Sequence, residues 1–497
     1  MTKIKLSEIF FDDDFYPRER VNQRKVGEYI EAIKSGKVFP PIKLQQVTYP
    51  EGIKLVLIDG AHRTTAYAQF NRWLASDGHK EDETETTKPI EQVPYVLHSE
   101  KVYSKDNPGD RAELLLIAAR YNSEHGYQMS QEDKKRIART ICESDPSRTD
   151  TDIAKALGIS RHTLNDWVRD IKNRHEASQQ AIIARLALLG WTTEDIGNVV
   201  GLTGQRVGQV LKELSPSTKL SQSIKDLVNN RGKSVDDAAK AFDTDRVLGW
   251  ALLLKDELDA DRLEKLSDGN DELDCNPRPY DVWTFKESHP LFGTKGYPGR
   301  IPGQIVLQLL YFFTEPNALV IDPCAGGGTV VDACLVMGRR CLAFDSDPSA
   351  CAARKDIHLK DAIEAIKGLT RKADFIFLDT PYYKKMDKGY GENSISRFGK
   401  EEYLKFFSDL AAAAHEKLNK GGHVALLMSD YIDEDNPDEE IFIEDYINIF
   451  KKAGFCRTRR IHCDLSTQQI HPDYINKFTD SKRLAVLARD LVIFSLA

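Results

Sequence analysis

The spacing of apolar positions changes character along the chain. Near the N-terminus Val26, Tyr29, Ile30 and Ile33 recur at helical spacing, and Ser35-Gly36 ends that helix. Phe39-Pro-Pro-Ile-Lys-Leu and Lys54-Leu-Val-Leu-Ile predict strands, the second running through Asp59-Gly60 into a helix. From Arg111 onward the rhythm is helical. Ser130 and Asp133 stand in capping-box positions at the start of one such helix. From about Pro279 short apolar runs alternate with helical stretches. Ala318–Ile321, Arg340–Phe344, Lys372–Leu378 and Gly421–Met428 read as strands, with Arg457–His462 and Leu491–Phe494 as a closing antiparallel pair. The whole predicts a multidomain α/β protein: a small α+β domain, an all-α region, and a doubly wound C-terminal domain.

Within the helical part, two stretches fit a helix-turn-helix. In the first, Ile153, Ala154, Leu157, Ile159, Leu164 and Trp167 would form a small core around a turn at Gly158. The second helix would then present Arg161, His162, Asn165 and Arg169 outward. In the second stretch Gly201 takes the turn, and Thr203, Gln205, Arg206 and Gln209 would face a groove. Gly204 and Gly208 weaken that helix by about 1 kcal/mol each relative to alanine. The alternatives are a helical hairpin for protein contacts and, for the second copy, simple packing on the first. An acidic, polar insertion between Ala75 and Lys88 reads as a flexible loop, Ser215–Ser223 as a linker, and Asp268–Pro279 as a domain boundary. The expected division is therefore 1–105, 106–215, 216–275 (a helical linker) and 276–497.

Composition narrows the class. At 497 residues the chain is too long for one core, and 41% hydrophobic with 29% charged residues is ordinary for a soluble globular protein. No apolar run is long enough for a membrane span, and the start lacks a signal peptide's apolar stretch. Eight scattered cysteines without metal-ligand spacing point to free thiols, a cytoplasmic location and no metal. A net charge of −8 is unusual for a DNA binder, but a local basic face matters more than the sum.

The chemistry concentrates in two strand ends. The run Asp322-Pro323-Cys324-Ala325-Gly326-Gly327-Gly328-Thr329 makes a glycine turn between a strand and a helix, where backbone can approach a ligand closely. Asp345, about one crossover later, is placed to accept hydrogen bonds from ribose hydroxyls. A further strand ends in Asp379-Thr380-Pro381-Tyr382-Tyr383. An acid, a proline and an aromatic there suit attack of a base's exocyclic amino group on a sulfonium methyl. The acid accepts the amino protons and Tyr382 offers a face for the base to stack on. Swinging the base out of a duplex costs a few kcal/mol, offset by stacking and edge hydrogen bonds.

On these motifs, the chain from about Pro279 resembles the amino-methyltransferases of DNA, which make N6-methyladenine or N4-methylcytosine. It departs from the family's catalytic motif in carrying Thr380 where a proline is usual. The resemblance implies a Rossmann-like domain with a mostly parallel seven-stranded sheet, S-adenosylmethionine as cofactor, and double-stranded DNA as partner. It implies catalytic roles for Asp379, Thr380, Pro381 and Tyr382, with Tyr383 or Phe398 covering the base's other face. Phe292 and Gly293, in His289-Pro-Leu-Phe-Gly, match the segment that packs on the cofactor's methionine end, and Asp361 matches an acid near its adenine. An acid at position 379 leans toward adenine N6. The readings left open are N4-cytosine, RNA as acceptor, and a DNA-binding regulator whose enzyme domain is inactive.

The first hundred or so residues resemble the ParB and sulfiredoxin fold. There Gly60, His62 and Arg63 would contact phosphate, of CTP or ATP or of DNA. The alternative is a DNA-positioning or dimerising module, which makes a homodimer a candidate state. No cysteine neighbours the motif, so sulfiredoxin chemistry is excluded. Together the N-terminal parts would supply target recognition that the catalytic domain lacks, in a restriction–modification setting. A fragment starting near Asn276 is expected to bind S-adenosylmethionine yet methylate DNA poorly.

Overall fold

A computed structural model describes the chain except for residues 1, 19, 77–87, 125–128, 147, 214–215, 271–272, 286, 385–393, 434, 465–471, 483 and 485. Residues 77–87 of the expected loop between Ala75 and Lys88 lie outside the described residues, as do 385–393 in the Lys-, Gly- and Ser-rich stretch after Tyr383, whose sequence predicts a loop that orders on a flipped base. The chain divides into two units, Met1–Glu176 and Ala177–Ala497. That division falls inside the segment 106–215 expected to be one helical region.

In the first unit, strands β1 (Lys3–Lys5), β2 (Ile42–Tyr49), β3 (Gly52–Asp59), β4 (Gln92–Leu97) and β5 (Tyr103–Ser104) form one sheet with α1 (Gln23–Lys34) and α2 (Ala61–Ala75). Strand β2 is central, antiparallel to β3 and parallel to β4 and β5. Its buried Ile42 and Leu44 pack with Val26, Ile33, Ala66 and Phe70 of the two helices. The helices α3 (Pro108–Glu124), α4 (Gln131–Ser144) and α5 (Asp150–Leu157) follow. Ser130 and Asp133 form the expected reciprocal cap on α4. Gly158, at φ 61°, ends α5, and α6 runs from Arg161 to Leu188 across the division between units. Ile153, Ala154, Leu157 and Leu164 are buried together with Ile137 and Ile141 of α4. The first helix-turn-helix candidate thus has the predicted core, with a second helix far longer than a short reading helix.

The second unit is organised by an eight-stranded sheet, one strand more than expected. Before it come α7 (Thr193–Val200), α8 (Gly204–Glu213), α9 (Pro216–Lys225), α10 (Val235–Lys240), α11 (Arg246–Leu253) and α12 (Asp259–Asp268). Then follow β6 (Val282–Trp283), α13 (Gly303–Phe313), β7 (Leu319–Asp322), α14 (Thr329–Val336), β8 (Arg340–Asp345), α15 (Pro348–Ala353), β9 (Ile357–Leu359) and α16 (Ala362–Lys367). The unit closes with β10 (Ala373–Leu378), α17 (Lys400–Lys417), β11 (Leu418–Met428), α18 (Ile443–Lys452), β12 (Phe455–Asp464), α19 (Pro472–Ser481) and β13 (Ala488–Leu496). Strand order is β6-β12-β13-β11-β10-β7-β8-β9. Strands β11, β10, β7, β8 and β9 run parallel, and β13 is antiparallel to both β11 and β12. The extra strand, β6, is two residues added parallel to the edge of β12. Nothing in the sequence marks so short a pairing.

The two faces of this sheet bury separate cores. One face packs on α16, α17 and α18 through Ile366, Phe407, Leu410, Tyr446 and Phe450. The other packs on α13 and α14 and also on the helices read as a DNA-binding segment and linker. Leu186, Leu189, Ile196, Val207, Ile224, Leu248 and Leu263 share one core with Val330, Val336, Cys341 and Ile357. The expected linker at 215–223 is largely helix α9, whose Ser221 is buried and donates to the Leu252 carbonyl. Arg262 donates to the Val336 carbonyl at 2.7 Å, and buried Arg339 reaches both carboxylate oxygens of Asp259. The stretch expected to be a boundary is stitched to α13, since Gln308 donates to the carbonyls of Cys275 and Asn276. A fragment starting near Asn276 would strip this shared core of one side.

Candidate active site

The sheet order brings the C-terminal ends of β8, β7 and β10 side by side, and each carries an acid there. Asp322 ends β7, Asp345 ends β8, and Asp379 follows β10. Parallel strands gather these residues at the carboxyl end of the sheet, where doubly wound folds take their ligands. Burial pushes the Asp322 carboxyl well above its ordinary value, and the charges of Asp345 and Asp379 add to that push. Burial also raises Asp345, against hydrogen bonds from the backbone of Asp347 and Gly326. Asp379 is pushed up to about 6 by burial, against the charge of Arg489 and the Tyr382 hydrogen bond. Burial is the main cause in all three, and acids gathered at adjoining strand ends suit a cationic ligand.

The glycine turn is held from several sides. Gly326 donates its N–H to Asp345 Oδ2 at 2.7 Å, and Ala325 donates to the Phe344 carbonyl at 2.9 Å. Gly328, at φ 82°, opens α14. At two of the turn glycines the space a side chain would need is taken by other residues. A Cβ at Gly326 would stand 2.8 Å from the Tyr297 ring, and one at Gly328 would stand 2.6 Å from the Arg354 guanidinium. The Gly327 carbonyl accepts from Thr294 N at 2.8 Å and from Arg354 Nη1 at 3.1 Å. Tyr297 and Arg354 were missed in the sequence because nothing local points from residue 297 or 354 to residue 327.

Other expected cofactor residues fall as follows. Pro323 and Ala325 are buried and Cys324 is partly exposed, its N–H directed to Asp322 Oδ1 at 3.2 Å. Thr329 is buried, and its Oγ1 lies where a Cβ on Gly293 would stand, at 2.6 Å. Gly293, at φ 72°, donates its N–H to Asp332 Oδ2. Phe292 is fully buried, with its ring under Gly303. It packs the core and offers no face to a ligand, which corrects its assignment. Asp361 caps α16, accepting from the N–H groups of Ile363 and Glu364.

Around Asp379 the geometry is close. Tyr382 donates its hydroxyl to Asp379 Oδ1 at 3.2 Å. Thr380 is buried with its hydroxyl 3.7 Å from the Met428 sulfur, and the Pro381 carbonyl accepts from the Tyr403 hydroxyl at 3.0 Å. Tyr383 is buried against Tyr403 and Tyr431 and donates to Glu439, so it cannot cover a base. Phe398 is partly buried beside the same core.

Among the outward positions of the helix-turn-helix candidates, Asn165 is half-buried. Arg161, His162, Arg169, Gln205 and Arg206 are exposed. Several already have partners on their own helix: Asp166 meets His162 at 3.4 Å and Arg169 at 2.5 Å, Asn165 accepts from Lys172 at 2.7 Å, and Arg206 meets Gln209 at 3.3 Å. At the N-terminal turn, Gly60 has φ 107° and precedes α2. Arg63 there closes on Asp59 at 3.0 Å and on the carbonyls of Pro40 and Pro41. His62 accepts from the Asn22 N–H, and burial pushes its pKa down to about 4. Both side chains are half-buried and already have these partners within the first unit.

Comparison with known proteins bears on the second unit. A family described as DNA methylase, of the N6/N4 methyltransferase type, matches residues 243–356. That segment holds the glycine turn and Asp345 and stops short of Asp361 and Asp379. A protein of Escherichia coli (strain K12) named as a methylase, YubD, is 36% identical over 80 residues, which is 16% of this chain and 33% of that one. The match thus spans about a third of that relative's length. Among solved structures, TrmN from Thermus thermophilus covers 41% of this chain and 51% of its own at 16% identity, with a TM-score of 0.27. An S-adenosylmethionine-dependent methyltransferase from Clostridium acetobutylicum ATCC 824 covers 39% of this chain and 90% of its own at 10% identity, with a TM-score of 0.25. At such scores these likenesses carry no argument. What remains is the match of residues 243–356 to the DNA methylase family, which is less than half of the chain. No helix among the described residues is long and apolar enough to cross a membrane.

Proposed function

We propose that the chain transfers the methyl group of S-adenosylmethionine to the exocyclic amino nitrogen of a base in double-stranded DNA, adenine N6 ahead of cytosine N4. The observation that carries this reading is the trio Asp322, Asp345 and Asp379 at adjoining strand ends, with raised carboxyl pKa values and Tyr382 hydrogen-bonded to the last. S-adenosylmethionine fits that donor set: it brings a sulfonium and an ammonium to a crevice of carboxylates, with a ribose for Asp345. It supplies a methyl that is ready to leave.

The chain's own part is placement. Asp379 accepts a hydrogen bond from the amino group and offsets the positive charge that grows on its nitrogen. The partly exposed Tyr382 ring gives the base a stacking face while its hydroxyl fixes the Asp379 carboxylate. Thr380, its side chain turned to Met428, leaves its backbone carbonyl as a second acceptor, so the departure from proline does not weigh against activity. Holding nitrogen and methyl in line within about 3 Å supplies the orientational part of the rate.

The two helix-turn-helix candidates favour DNA over RNA, and the exposed Arg161, Arg169 and Arg206 are candidate phosphate contacts. For the first unit we favour a DNA-positioning role over CTP or ATP binding, because His62 and Arg63 are satisfied within the fold. The test is transfer of labelled methyl from S-adenosylmethionine to duplex DNA and, separately, to structured RNA, with Asp379→Ala as control. Labelling of DNA lost in the variant supports the proposal. Labelling of RNA alone, or of neither, refutes it.

A further inference from the structure

We propose that Arg185 is a positioning residue for the glycine turn, so that a helix outside the family-matched segment sets the affinity for the cofactor. The inference rests on the methyltransferase reading above. Arg185 lies in the last turn of α6, just before the second helix-turn-helix candidate. The family segment begins at residue 243.

Arg185 enters a cluster of three carboxylates. It meets Asp332 at 2.6 Å, Asp356 at 2.7 Å and Asp245 at 3.0 Å. Its side chain is 12% exposed, and those of Asp332 and Asp356 are 4% and 3% exposed. Burial opposes the Arg185 charge, but the three carboxylates outweigh it. Arg354 completes the set, bonded to both oxygens of Asp332 and both of Asp356.

Asp332 is where the cluster meets the turn. Its Oδ2 accepts from Gly293 N at 2.8 Å and from Arg354 Nη1, and its Oδ1 accepts from Arg354 Nη2 and from Arg185 Nη2. Arg354 in turn donates to the Gly327 carbonyl and fills the space beside Gly328. The turn, the segment at Gly293 and the start of α14 are therefore fixed through one carboxylate, and Arg185 holds that carboxylate from behind. Beside the cluster opens a cavity of about 390 Å³, lined by Arg185, Leu186, Leu291, Gly293 and Arg354 among others. On that side ion pairs rather than packed side chains hold the turn. Removing Arg185 leaves Asp332 and Asp356 sharing Arg354 alone, an unbalanced buried charge that loosens the arrangement. Arg185 touches no candidate substrate position, so its loss should appear in cofactor binding and not in the chemical step.

The experiment uses the full chain with Arg185→Gln and Arg185→Lys. The first readout is amide hydrogen exchange at Gly326 and Gly328 without cofactor, and the second is calorimetric titration with S-adenosylmethionine. For Arg185→Gln we expect faster exchange at the turn and Kd raised about tenfold, with kcat at saturating cofactor within about twofold of the parent. Arg185→Lys keeps the charge but not the fork of donors, and should recover part of the affinity. Unchanged exchange and unchanged Kd in a folded variant overturn the proposal, as does a fall in kcat with Kd unaltered. A parent chain that does not bind S-adenosylmethionine ends the methyltransferase reading, while the exchange data still decide the role of Arg185. If Arg185→Gln does not fold, Asp245→Asn loosens Arg185 from its exposed side. It should move exchange and Kd in the same direction by a smaller factor, and no movement overturns the proposal.

Discussion

Two turns in this chain have nearly the same local form and opposite electrostatics. At Gly60 a strand ending in Asp59 passes through a left-handed glycine into α2, and at Gly326–Gly328 a strand ending in Asp322 passes through glycines into α14. Sequence assigns an anion to the first and a cationic cofactor to the second. At the first turn the charges are satisfied inside the fold: Arg63 lies on Asp59 and on two carbonyls, and His62 is an uncharged acceptor. At the second, three carboxyls gather at adjoining strand ends, and the charges of Asp345 and Asp379 raise Asp322. A glycine turn marks where backbone bends sharply. Whether it marks a site depends on whether the charges around it are already balanced.

The comparison breaks most decisively at Asp379. Asp379→Ala should lower kcat/KM for methyl transfer by about a thousandfold with little change in S-adenosylmethionine affinity, measured by initial rates and calorimetry. Next come the glycines themselves. Gly328→Ala forces a side chain to φ 82° and into Arg354, and should abolish measurable cofactor binding. Gly60→Ala meets a similar backbone penalty and Ile42 at 2.7 Å, costing the first unit about 1–3 kcal/mol in denaturant titration while cofactor binding stays unchanged.

A third contrast is pH. Asp379 must be ionised to accept the amino protons, and its pKa lies near 6. The pH profile of kcat/KM should therefore fall as pH drops through about 6, with a protonated, hydrogen-bond-donating Asp379 at the low end. His62 acts through stability. Its folded pKa of about 4 is below the unfolded value of 6.5, so the unfolded chain binds the proton more readily. The first unit should lose stability as pH falls from 6.5 toward 4, and His62→Gln should flatten that slope in urea titrations followed by first-unit probes. The smallest effect belongs to the exposed helices. Arg161→Ala and Arg206→Ala should each reduce the salt dependence of duplex binding by about one unit of slope if both reach phosphates.

Much of this architecture could be read from the chain because it is local. The apolar runs at 318–321 and 372–378, the acids that end or follow them, and the cap at Ser130 are set by neighbours in sequence. What escaped was set by distant partners. Phe292 looks like a site residue until Gly303 is seen to receive its ring. The segment 216–275 looks like a linker because its apolar positions show only that it is buried, not that it is buried against Val336 and Cys341. The Arg185 cluster draws on residues 185, 245, 332, 354 and 356, and no periodicity connects them.

The central claim is that the carboxylate crevice holds a methyl donor and that Asp379 presents a base to it. The most direct measurement is mass spectrometry of nucleosides from duplex DNA incubated with the chain and methyl-labelled S-adenosylmethionine. The account predicts labelled N6-methyladenine from the parent chain and none from Asp379→Ala. Unmodified nucleosides from a chain that binds S-adenosylmethionine, or equal labelling by the variant, would contradict it.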